Sequence, residues 1–218
     1  MTLAIFDLDN TLIGGDSDNL WGQYLFDHGL VEAADFARQN DQFYEDYKSG
    51  NLDIDAYLRF ALAPLKNQPV EVLQDWHTDF MRKVIEPIML PKALSLIAEH
   101  RALGHTLIII TATNVFITRP IANALGIDHL LACEAETIDG RYTGKPIGVP
   151  SYREGKVVRL AAWLKQTGES FSGAYFYSDS HHDLPLLEKV AHPVAVDPDP
   201  TLRRRAQQKN WKILSLRD

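Results

Sequence analysis

The chain opens with a short apolar segment that leads directly into acidic residues. Residues 3–6 are all apolar, and Asp7, Asp9 and Thr11 follow them closely. Four apolar residues bounded by polar ones are typical of a buried strand. We therefore predict a strand whose carboxyl end carries these polar groups, and the Gly14–Gly15 pair then breaks the pattern.

The next part of the chain, residues 16–86, has a helical pattern and no convincing strand. Apolar and aromatic residues recur there every three or four positions, which is the spacing of one helix face. We predict four helices. Ser17 or Asp18 caps the first, Asp53 caps the third, and the fourth spans 70–85.

After Pro91 helices and strands alternate, and Asp139-Gly140 indicates a tight hairpin. The expected elements are helix 92–103, strand 105–110, helix 115–125, strand 130–133, helix 154–166, strand 173–178, helix 184–190, strand 194–196 and a C-terminal helix. Such alternation predicts an α/β fold, a Rossmann-like parallel sheet with right-handed crossovers. The core would comprise residues 1–14 and 87–218, and residues 15–86 would form an inserted all-α helical cap domain.

Composition and charge limit the classes of partner. With 22 basic and 29 acidic residues the net charge is −7, which disfavours nucleic acid and membrane surfaces as partners. The single cysteine, Cys133, has no partner for an internal disulfide and is expected to be a small buried apolar residue. No signal-peptide pattern is evident, so we expect a cytoplasmic protein.

Polar residues follow three of the predicted strands. Ligands of open α/β sheets bind beyond the carboxyl ends of the strands, so these residues should meet at one edge of the sheet. They are Asp7, Asp9 and Thr11 after the first strand, Thr111, Thr113 and Asn114 after the second, and Asp179 and Asp183 after a later one. Carboxylate oxygens are the ligands that suit Mg²⁺, so we expect Mg²⁺ as the cofactor.

Acids arranged in this way are suited to phosphoryl transfer. One carboxylate can attack phosphorus and form an aspartyl-phosphate, while a second, two residues along, protonates the leaving oxygen and later deprotonates water. The transferred group also needs a cation and hydrogen-bond donors. Lys156, at the start of a predicted helix, and Thr111 are the natural candidates.

Four segments together resemble the sequence motifs of the haloacid dehalogenase superfamily. These segments are Asp7-Leu-Asp9-Asn-Thr11, Ile108-Ile-Ile-Thr111, Lys156, and Asp179-Ser-His-His-Asp183. They occur in the family's order and on the expected types of element, which makes the resemblance specific. The helical insertion after the first motif is similar in position to the cap of the phosphoserine-phosphatase-like branch.

The resemblance implies a role for each matching residue. Asp7 would be the nucleophile and Asp9 the general acid and base, while Thr111 would bind the phosphate and Lys156 would neutralise it. Lys145, which follows the predicted hairpin, is an alternative to Lys156. An aspartate at position 9, where other branches carry a small residue, favours a phosphatase over a dehalogenase or a phosphonatase.

The resemblance also implies a metal site. Asp7, the main-chain carbonyl of Asp9, and Asp179 would hold Mg²⁺, with Asp183 in support. Mg²⁺ and Lys156 would together convert this acidic cluster into a site for an anion, despite the negative charge of the whole chain.

Four further residues are candidates for binding the rest of the substrate. Asp16 lies where the similar branch carries an acid facing the substrate ammonium, although it is also suited to capping a helix, and Asp18 is a second candidate for the same role. Thr113 and His182 lie beside the motifs, although His182 is also explained as a polar loop residue. Arg59 is the candidate for a carboxylate, but it lies two residues before the expected position, which turns a helical side chain by about 200°.

An acid that binds an ammonium, without a well-placed arginine, favours an amino-alcohol phosphate. We expect a Mg²⁺-dependent phosphomonoesterase, a monomer or homodimer, that acts on a small amine-bearing phosphate monoester, with histidinol phosphate favoured. Phosphoserine or a broad range of small phosphates is one alternative, and a non-catalytic phosphate-binding domain is another. The aromatic residues expected to pack on an imidazole are Trp21, Tyr24, Tyr44 and Tyr47.

Overall fold

The fold is built on one seven-stranded sheet, as shown by a computed structural model that describes residues 2–31 and 33–217. The strands lie in the order β4-β3-β2-β1-β5-β6-β7. They are β1 Leu3–Phe6, β2 Thr106–Asn114, β3 His129–Ile138, β4 Arg141–Ile147, β5 Tyr175–Ser178, β6 His192–Val196 and β7 Lys212–Leu214. All neighbours are parallel except β3 and β4, which form an antiparallel hairpin.

Nine α-helices connect or cover the described strands. They are α1 Ser17–Asp27, α2 Ala33–Ser49, α3 Ile54–Leu62, α4 Val70–Phe80, α5 Pro91–Ala102, α6 Val115–Ala124, α7 Glu154–Thr167, α8 Leu184–Leu187 and α9 Pro200–Lys209. Short 3₁₀ helices lie at 63–65, 86–88 and 181–183. The prediction of an α/β fold with a parallel sheet and helices is confirmed.

The central strand β1 is buried on both faces. Its alternate residues point to opposite sides of the sheet, so Leu3 and Ile5 join one hydrophobic cluster while Ala4 and Phe6 join another. The same alternation continues in the adjacent strand β2. Continuous apolar runs of this kind are what a parallel sheet covered by helices requires.

The helical segment between β1 and β2 starts and ends at neighbouring positions. Ile13 forms an antiparallel bridge with Met89, and the Gly14 N–H donates to the Ile88 carbonyl at 2.7 Å. Trp21, Leu62 and other residues of this segment lie in the same hydrophobic cluster as β1. The boundaries of a separate cap at residues 15 and 86 stay a prediction, and the outer ends predicted for the core, Met1 and Asp218, lie outside the described residues.

Several local predictions were wrong in detail. The first helix is capped by Asp16, not by Ser17 or Asp18, because its side chain accepts hydrogen bonds from the backbone N–H groups of Asp18 and Asn19. The fourth helix does not continue regularly to 85, since residues 81–85 form a π-helical turn. The strand 212–214 was not predicted.

The hairpin turn and the buried cysteine agree with their predictions. Asp139 and Gly140 both have positive φ angles of 51° and 75°, as a tight hairpin turn requires. Cys133 is buried, and burial raises the pKa of its thiol to about 12. None of the helices within residues 2–31 and 33–217 has the length and apolar composition needed to cross a membrane.

The close approach of α1 to α2 depends on Gly22. A Cβ atom at this position would lie 2.2 Å from the Asn40 side-chain oxygen. We expect Gly22→Ala to lower the free energy of unfolding by about 1–3 kcal/mol, because the buried Asn40 side chain must move and lose its hydrogen bond to the Asn19 carbonyl. The measurement is chemical denaturation, with the exposed Gln23→Ala on the same helix as the control. Equal stability of the two variants would contradict the tight contact.

Candidate active site

The acidic residues after β1 lie at the carboxyl end of the sheet. The Asp7 N–H donates to the Tyr177 carbonyl at 2.9 Å, which extends the β1–β5 pairing by one residue. The following turn closes on Leu8, whose carbonyl accepts the N–H groups of Thr11 and Leu12. This turn directs Asp7 and Asp9 into the same cavity.

Lys156 joins two acids from distant parts of the chain. Its Nζ donates to Asp7 Oδ1 at 2.9 Å and to Asp183 Oδ2 at 2.8 Å, and Ser178 Oγ donates to Asp183 Oδ2 at 2.7 Å. The Lys156 side chain is only 4% exposed. A buried ammonium of this kind is stable only when its charge is paired, as it is here.

The position of Lys156 follows from the start of α7. Arg153 precedes the helix with a φ of 50°, a backbone conformation that is rare for residues other than glycine. At Gly155 an added Cβ would lie 1.9 Å from the Pro150 carbonyl oxygen. The loop before the helix is therefore packed against its first turn, from which Lys156 points to Asp7.

Asp9 is held by groups from α1 and β2. The Ser17 N–H donates to Asp9 Oδ1 at 2.7 Å, and Thr113 Oγ1 donates to Oδ2 at 2.8 Å. Thr111 Oγ1 lies 3.4 Å from the same oxygen. The β2–β3 register shifts between Ile110 and Asn114, and such irregularities redirect side chains, here both threonines.

Burial determines the protonation of the acids. It raises the pKa of Asp7 to about 7 despite the opposing effect of Lys156, and the pKa of Asp9 to about 6. Burial alone would lower the pKa of Lys156, but the carboxylates of Asp183 and Asp7 raise it. Lys156 is therefore a permanent cation, while Asp9 is able to hold or release a proton near neutral pH.

The fourth motif adds a further acid, Asp179. Its backbone N–H donates to Thr11 Oγ1 at 3.1 Å, and burial raises its pKa well above the ordinary value. Repulsion from Asp7 and Asp183 raises this pKa further. The three carboxylates face one ammonium, which leaves an excess of buried negative charge.

This excess fits a divalent cation. No group of three or more His, Cys, Asp or Glu side chains in the described parts of the chain is arranged as a complete metal site. Mg²⁺ does not need one, because it is commonly held by one or two carboxylates together with water and substrate phosphate. Asp7, Asp179 and the Asp9 carbonyl supply oxygen ligands of the required type. Asp183 is already bonded to Lys156 and Ser178, so its contribution is to position Lys156.

A cavity of about 620 Å³, part of it open to solvent, collects most of the predicted residues. It is lined from the core by Asp7, Asp9, Thr111, Ala112, Thr113, Tyr152, Lys156, His182 and Asp183. It is lined from the helical segment by Asp16, Asp18, Asn19, Asn40, Phe43, Tyr44, Tyr47, Leu52, Ile54 and Tyr57. This lining of polar and aromatic side chains is suited to a small metabolite.

Asp16 has two functions in this arrangement. Its Oδ1 caps α1, while burial raises the pKa of its carboxyl group and its charge raises the pKa of Asp9. Asp16 therefore caps α1 and also lines the cavity, while its role in binding a substrate ammonium stays a prediction.

Arg59 was predicted to bind substrate, and the structure does not bring it to the cavity. It is exposed on α3 and lies in a separate depression with Lys66 and Lys145. The reason is the helical rotation, because Tyr57, two residues earlier, takes the cavity-facing position. Lys145 is likewise exposed and distant from the acids, which leaves Lys156 as the lysine of the site.

Two of the aromatic residues expected to pack on a ligand belong instead to the core. Trp21 and Tyr24 stack on each other with centroids 5.5 Å apart, inside a buried cluster with Phe80. Tyr44 and Tyr47 do line the cavity.

His182, which follows β5, contacts the helical segment between β1 and β2. Its Nε2 lies 2.7 Å from the Tyr47 carbonyl, and its Nδ1 accepts from Arg153 Nε at 3.3 Å. Arg153 also donates to the Gly50 carbonyl at 2.6 Å. Burial lowers the pKa of His182 to about 4, so the ring is neutral and donates from Nε2. Both ring nitrogens are engaged, and His182 contributes to the cavity by holding the end of α2.

Two cavity residues of α2, Asn40 and Phe43, were not predicted. They lie on the same helix face as Tyr44 and Tyr47, which were predicted, so the signal was present in the helical spacing. Arg153 carries no such signal, since its role depends on a contact with residue 50.

Comparisons with known proteins identify the family of the chain. The haloacid dehalogenase-like hydrolase family matches residues 4–188. A protein of Neisseria meningitidis serogroup C (strain 8013) named histidinol-phosphatase is 48% identical over 219 residues, covering 99% of both chains.

Two solved structures show the same architecture. A protein of unknown function from Bordetella pertussis Tohama I has 43% identity and a TM-score of 0.93, and the match covers 99% of this chain and 100% of the other. A substrate-bound phosphoserine phosphatase superposes with a TM-score of 0.71 at 18% identity, covering 99% and 93%, and this likeness shows the fold alone.

The predicted superfamily, the Rossmann-like fold and an enzyme of the phosphatase type are confirmed by these matches. The family match extends from β1 past the fourth motif and therefore includes every acid described above. The chain belongs to the haloacid dehalogenase-like hydrolase family.

Proposed function

We propose that this protein is a Mg²⁺-dependent phosphomonoesterase that acts through an aspartyl-phosphate on Asp7, with histidinol phosphate as its favoured substrate. One observation carries the proposal. Lys156 pairs with Asp7 on the floor of the cavity that also contains Asp9, so a nucleophile, a cation and a proton carrier lie together.

Asp7 has the properties of the nucleophile. Its Oδ1 accepts the bond from Lys156, and this contact favours the ionised form that attacks phosphorus. Lys156 and Thr111 are placed to bind the phosphoryl oxygens, where negative charge is concentrated during transfer. In the first step the bond from phosphorus to the substrate oxygen breaks as the bond to the Asp7 carboxylate forms.

Asp9 would carry the proton in both steps. With a pKa near 6 it retains a proton for the leaving alcohol oxygen in part of the molecules at neutral pH. Once ionised, it accepts a proton from the water that attacks the phosphoryl group on Asp7. Thr113 and the Ser17 N–H fix its carboxylate in one orientation during this exchange.

The residues present fit Mg²⁺ by ligand type and by charge, as the three carboxylates around one lysine indicate. Asp7, Asp179 and the Asp9 carbonyl would hold the ion. When bound, it would neutralise the phosphate and the Asp7 carboxylate, which otherwise repel each other.

The cavity favours a substrate with an amine. Asp16 and Asp18 place negative charge on the side of the helical segment, and aromatic residues of α2 face them. Within residues 2–31 and 33–217 no arginine lines this cavity, so a substrate carboxylate lacks its usual partner. An amino-alcohol phosphate fits this lining, and the name of the 48% identical relative supports histidinol phosphate.

The substrate is tested by phosphate release from a panel. We expect histidinol phosphate to be hydrolysed with a kcat/KM at least about tenfold above that of phosphoserine, because a buried carboxylate-lined cavity disfavours a second anion. The panel also includes phosphoethanolamine and a chromogenic phosphate. Faster turnover of phosphoserine would identify a phosphoserine phosphatase, and similar rates throughout would identify an enzyme of broad specificity.

The two central acids are tested separately. We expect Asp7→Asn to reduce hydrolysis by at least about 10³-fold, because the attacking carboxylate is lost. Asp9→Asn should reduce hydrolysis of histidinol phosphate by about 10²–10⁴-fold. With the chromogenic phosphate, whose leaving group needs no proton, it should leave phosphorylated Asp7 detectable by intact-protein mass spectrometry, because water is no longer activated. The control is Asp75→Asn, at an exposed position on α4. Wild-type activity in Asp7→Asn would contradict the mechanism.

Metal binding is tested through stability and pH. A raised carboxyl pKa means that the folded protein keeps protons that the unfolded chain has lost. Without metal, the free energy of unfolding should therefore decrease as the pH rises from about 4 to about 7. This range lies between the ordinary pKa of an aspartate and the raised pKa of Asp7. Bound Mg²⁺ offsets this loss, so the increase in melting temperature with Mg²⁺ should be larger near pH 8 than near pH 5.

Asp179→Asn should abolish most of this Mg²⁺-dependent increase, whereas Asp75→Asn should retain it. A Mg²⁺ effect that is the same at both pH values, or that persists in Asp179→Asn, would show that the ion binds elsewhere.

A further inference from the structure

The cavity contains a second acid whose role the chemistry above does not use. Asp18 lies on the first turn of α1 and is only 5% exposed. Its Oδ2 is buried and has no hydrogen-bond partner among the residues that the structure describes. A buried carboxyl oxygen without a partner is costly, and burial raises the pKa of Asp18 well above the ordinary value.

Asp18 differs from Asp16 in what surrounds it. Asp16 uses Oδ1 to cap α1, and its charge acts on Asp9 and Asp7, which places it near the phosphate end of the cavity. Asp18 also feels the charges of Asp16 and Asp9, but it has a further neighbour in the hydroxyl of Tyr57, and its Oδ2 has no hydrogen-bond partner in the described part of the chain. Asp18 therefore keeps an acceptor atom for a bound molecule, whereas Asp16 uses its Oδ1 within α1.

An unsatisfied donor lines the same cavity. The side-chain amide nitrogen of Asn19 is also buried and has no partner within the described residues, and Asn19 lines the same cavity. Neighbouring side chains thus offer one acceptor and one donor, neither of which the described protein satisfies. A neutral imidazole has the complementary pair, one ring N–H and one ring nitrogen acceptor.

The wall beside Asp18 is aromatic. Phe43 and Tyr57 meet edge to face with ring centroids 5.3 Å apart, and both line the cavity. Aromatic edges and faces pack well on a planar ring, while an aliphatic ammonium needs no such wall. The lining at this end is therefore suited to a flat heterocycle with polar atoms on its edge.

We propose that Asp18 and Asn19 form a recognition subsite for the imidazole ring of an amino-alcohol phosphate, with the Asp18 carboxyl group accepting the ring N–H. This inference rests on the proposed function, because it assigns the far end of the same substrate. Phosphate selects the reacting end of the molecule, Asp16 faces its amine, and Asp18 determines which side chain is accepted. Asp18 is thus a specificity-determining residue that takes no part in the chemistry.

The test compares two substrates that differ only in the ring. Histidinol phosphate and phenylalaninol phosphate share the phosphate and the amine, but the phenyl ring has no N–H. The measured quantity is the ratio of their kcat/KM values in wild type and in Asp18→Asn. We expect wild type to prefer the imidazole, and the ratio to fall about 10- to 100-fold in Asp18→Asn, the usual effect of leaving a buried ring N–H without its acceptor.

A matched control and a second variant complete the experiment. Asp41→Asn removes an exposed acid from α2 and should leave the ratio at the wild-type value. Tyr57→Phe removes the hydroxyl that contacts Asp18 and should lower the ratio in the same direction by a smaller factor. This second variant decides the question if Asp18→Asn does not fold.

The outcomes separate this inference from the proposed function. If Asp18→Asn loses activity equally on both substrates, so that the ratio is unchanged, the subsite is overturned while the phosphatase stands. If Asp18→Asn does not fold, an unchanged ratio in Tyr57→Phe overturns the subsite instead. A wild type that hydrolyses both substrates equally also overturns the subsite alone. A wild type that is active on phosphoserine and inactive on histidinol phosphate overturns the proposed substrate, and the subsite with it.

Discussion

The arrangement of the whole site depends on one buried ion pair network. Lys156 contacts Asp7, which follows the central strand β1, and Asp183, which follows β5, and it reaches both from the first turn of α7. Removing Lys156 leaves both carboxylates buried without compensation, which costs several kcal/mol. The network therefore fixes three separate parts of the chain at one edge of the sheet, and it does so only because the strands on either side are buried and rigid.

The helical segment completes the cavity from the opposite side. Its contacts with the core are of two kinds. Apolar residues such as Trp21 and Leu62 share a hydrophobic cluster with the sheet, whereas His182 and Arg153 bind backbone carbonyls at the end of α2. The apolar contacts supply most of the stabilisation. The polar ones are directional, and they determine where the aromatic residues of α2 stand relative to the acids.

The sequence predicted the core better than the cavity wall. Asp7, Asp9, Thr111 and Lys156 could be found because each lies near the end of a regular element, and element ends meet at a known edge of a parallel sheet. The residues at the far wall depend on how α2 and α3 are rotated, and helical spacing alone does not distinguish a core face from a cavity face. Arg59 was misplaced for this reason. The strand 212–214 was missed because only its pairing with β6, not its composition, identifies it.

The bridge between Ile13 and Met89 has a consequence for the length of the helical insertion. The two ends of the helical insertion leave the sheet side by side. For the entropy of chain closure, the insertion therefore counts as one loop between neighbouring positions. The entropy of closing a loop grows only with the logarithm of its length, about 0.6 kcal/mol for each doubling. The length of the insertion therefore has little effect on the entropy of bringing its two ends together, and the core constrains only those of its residues that contact the sheet or Asp9.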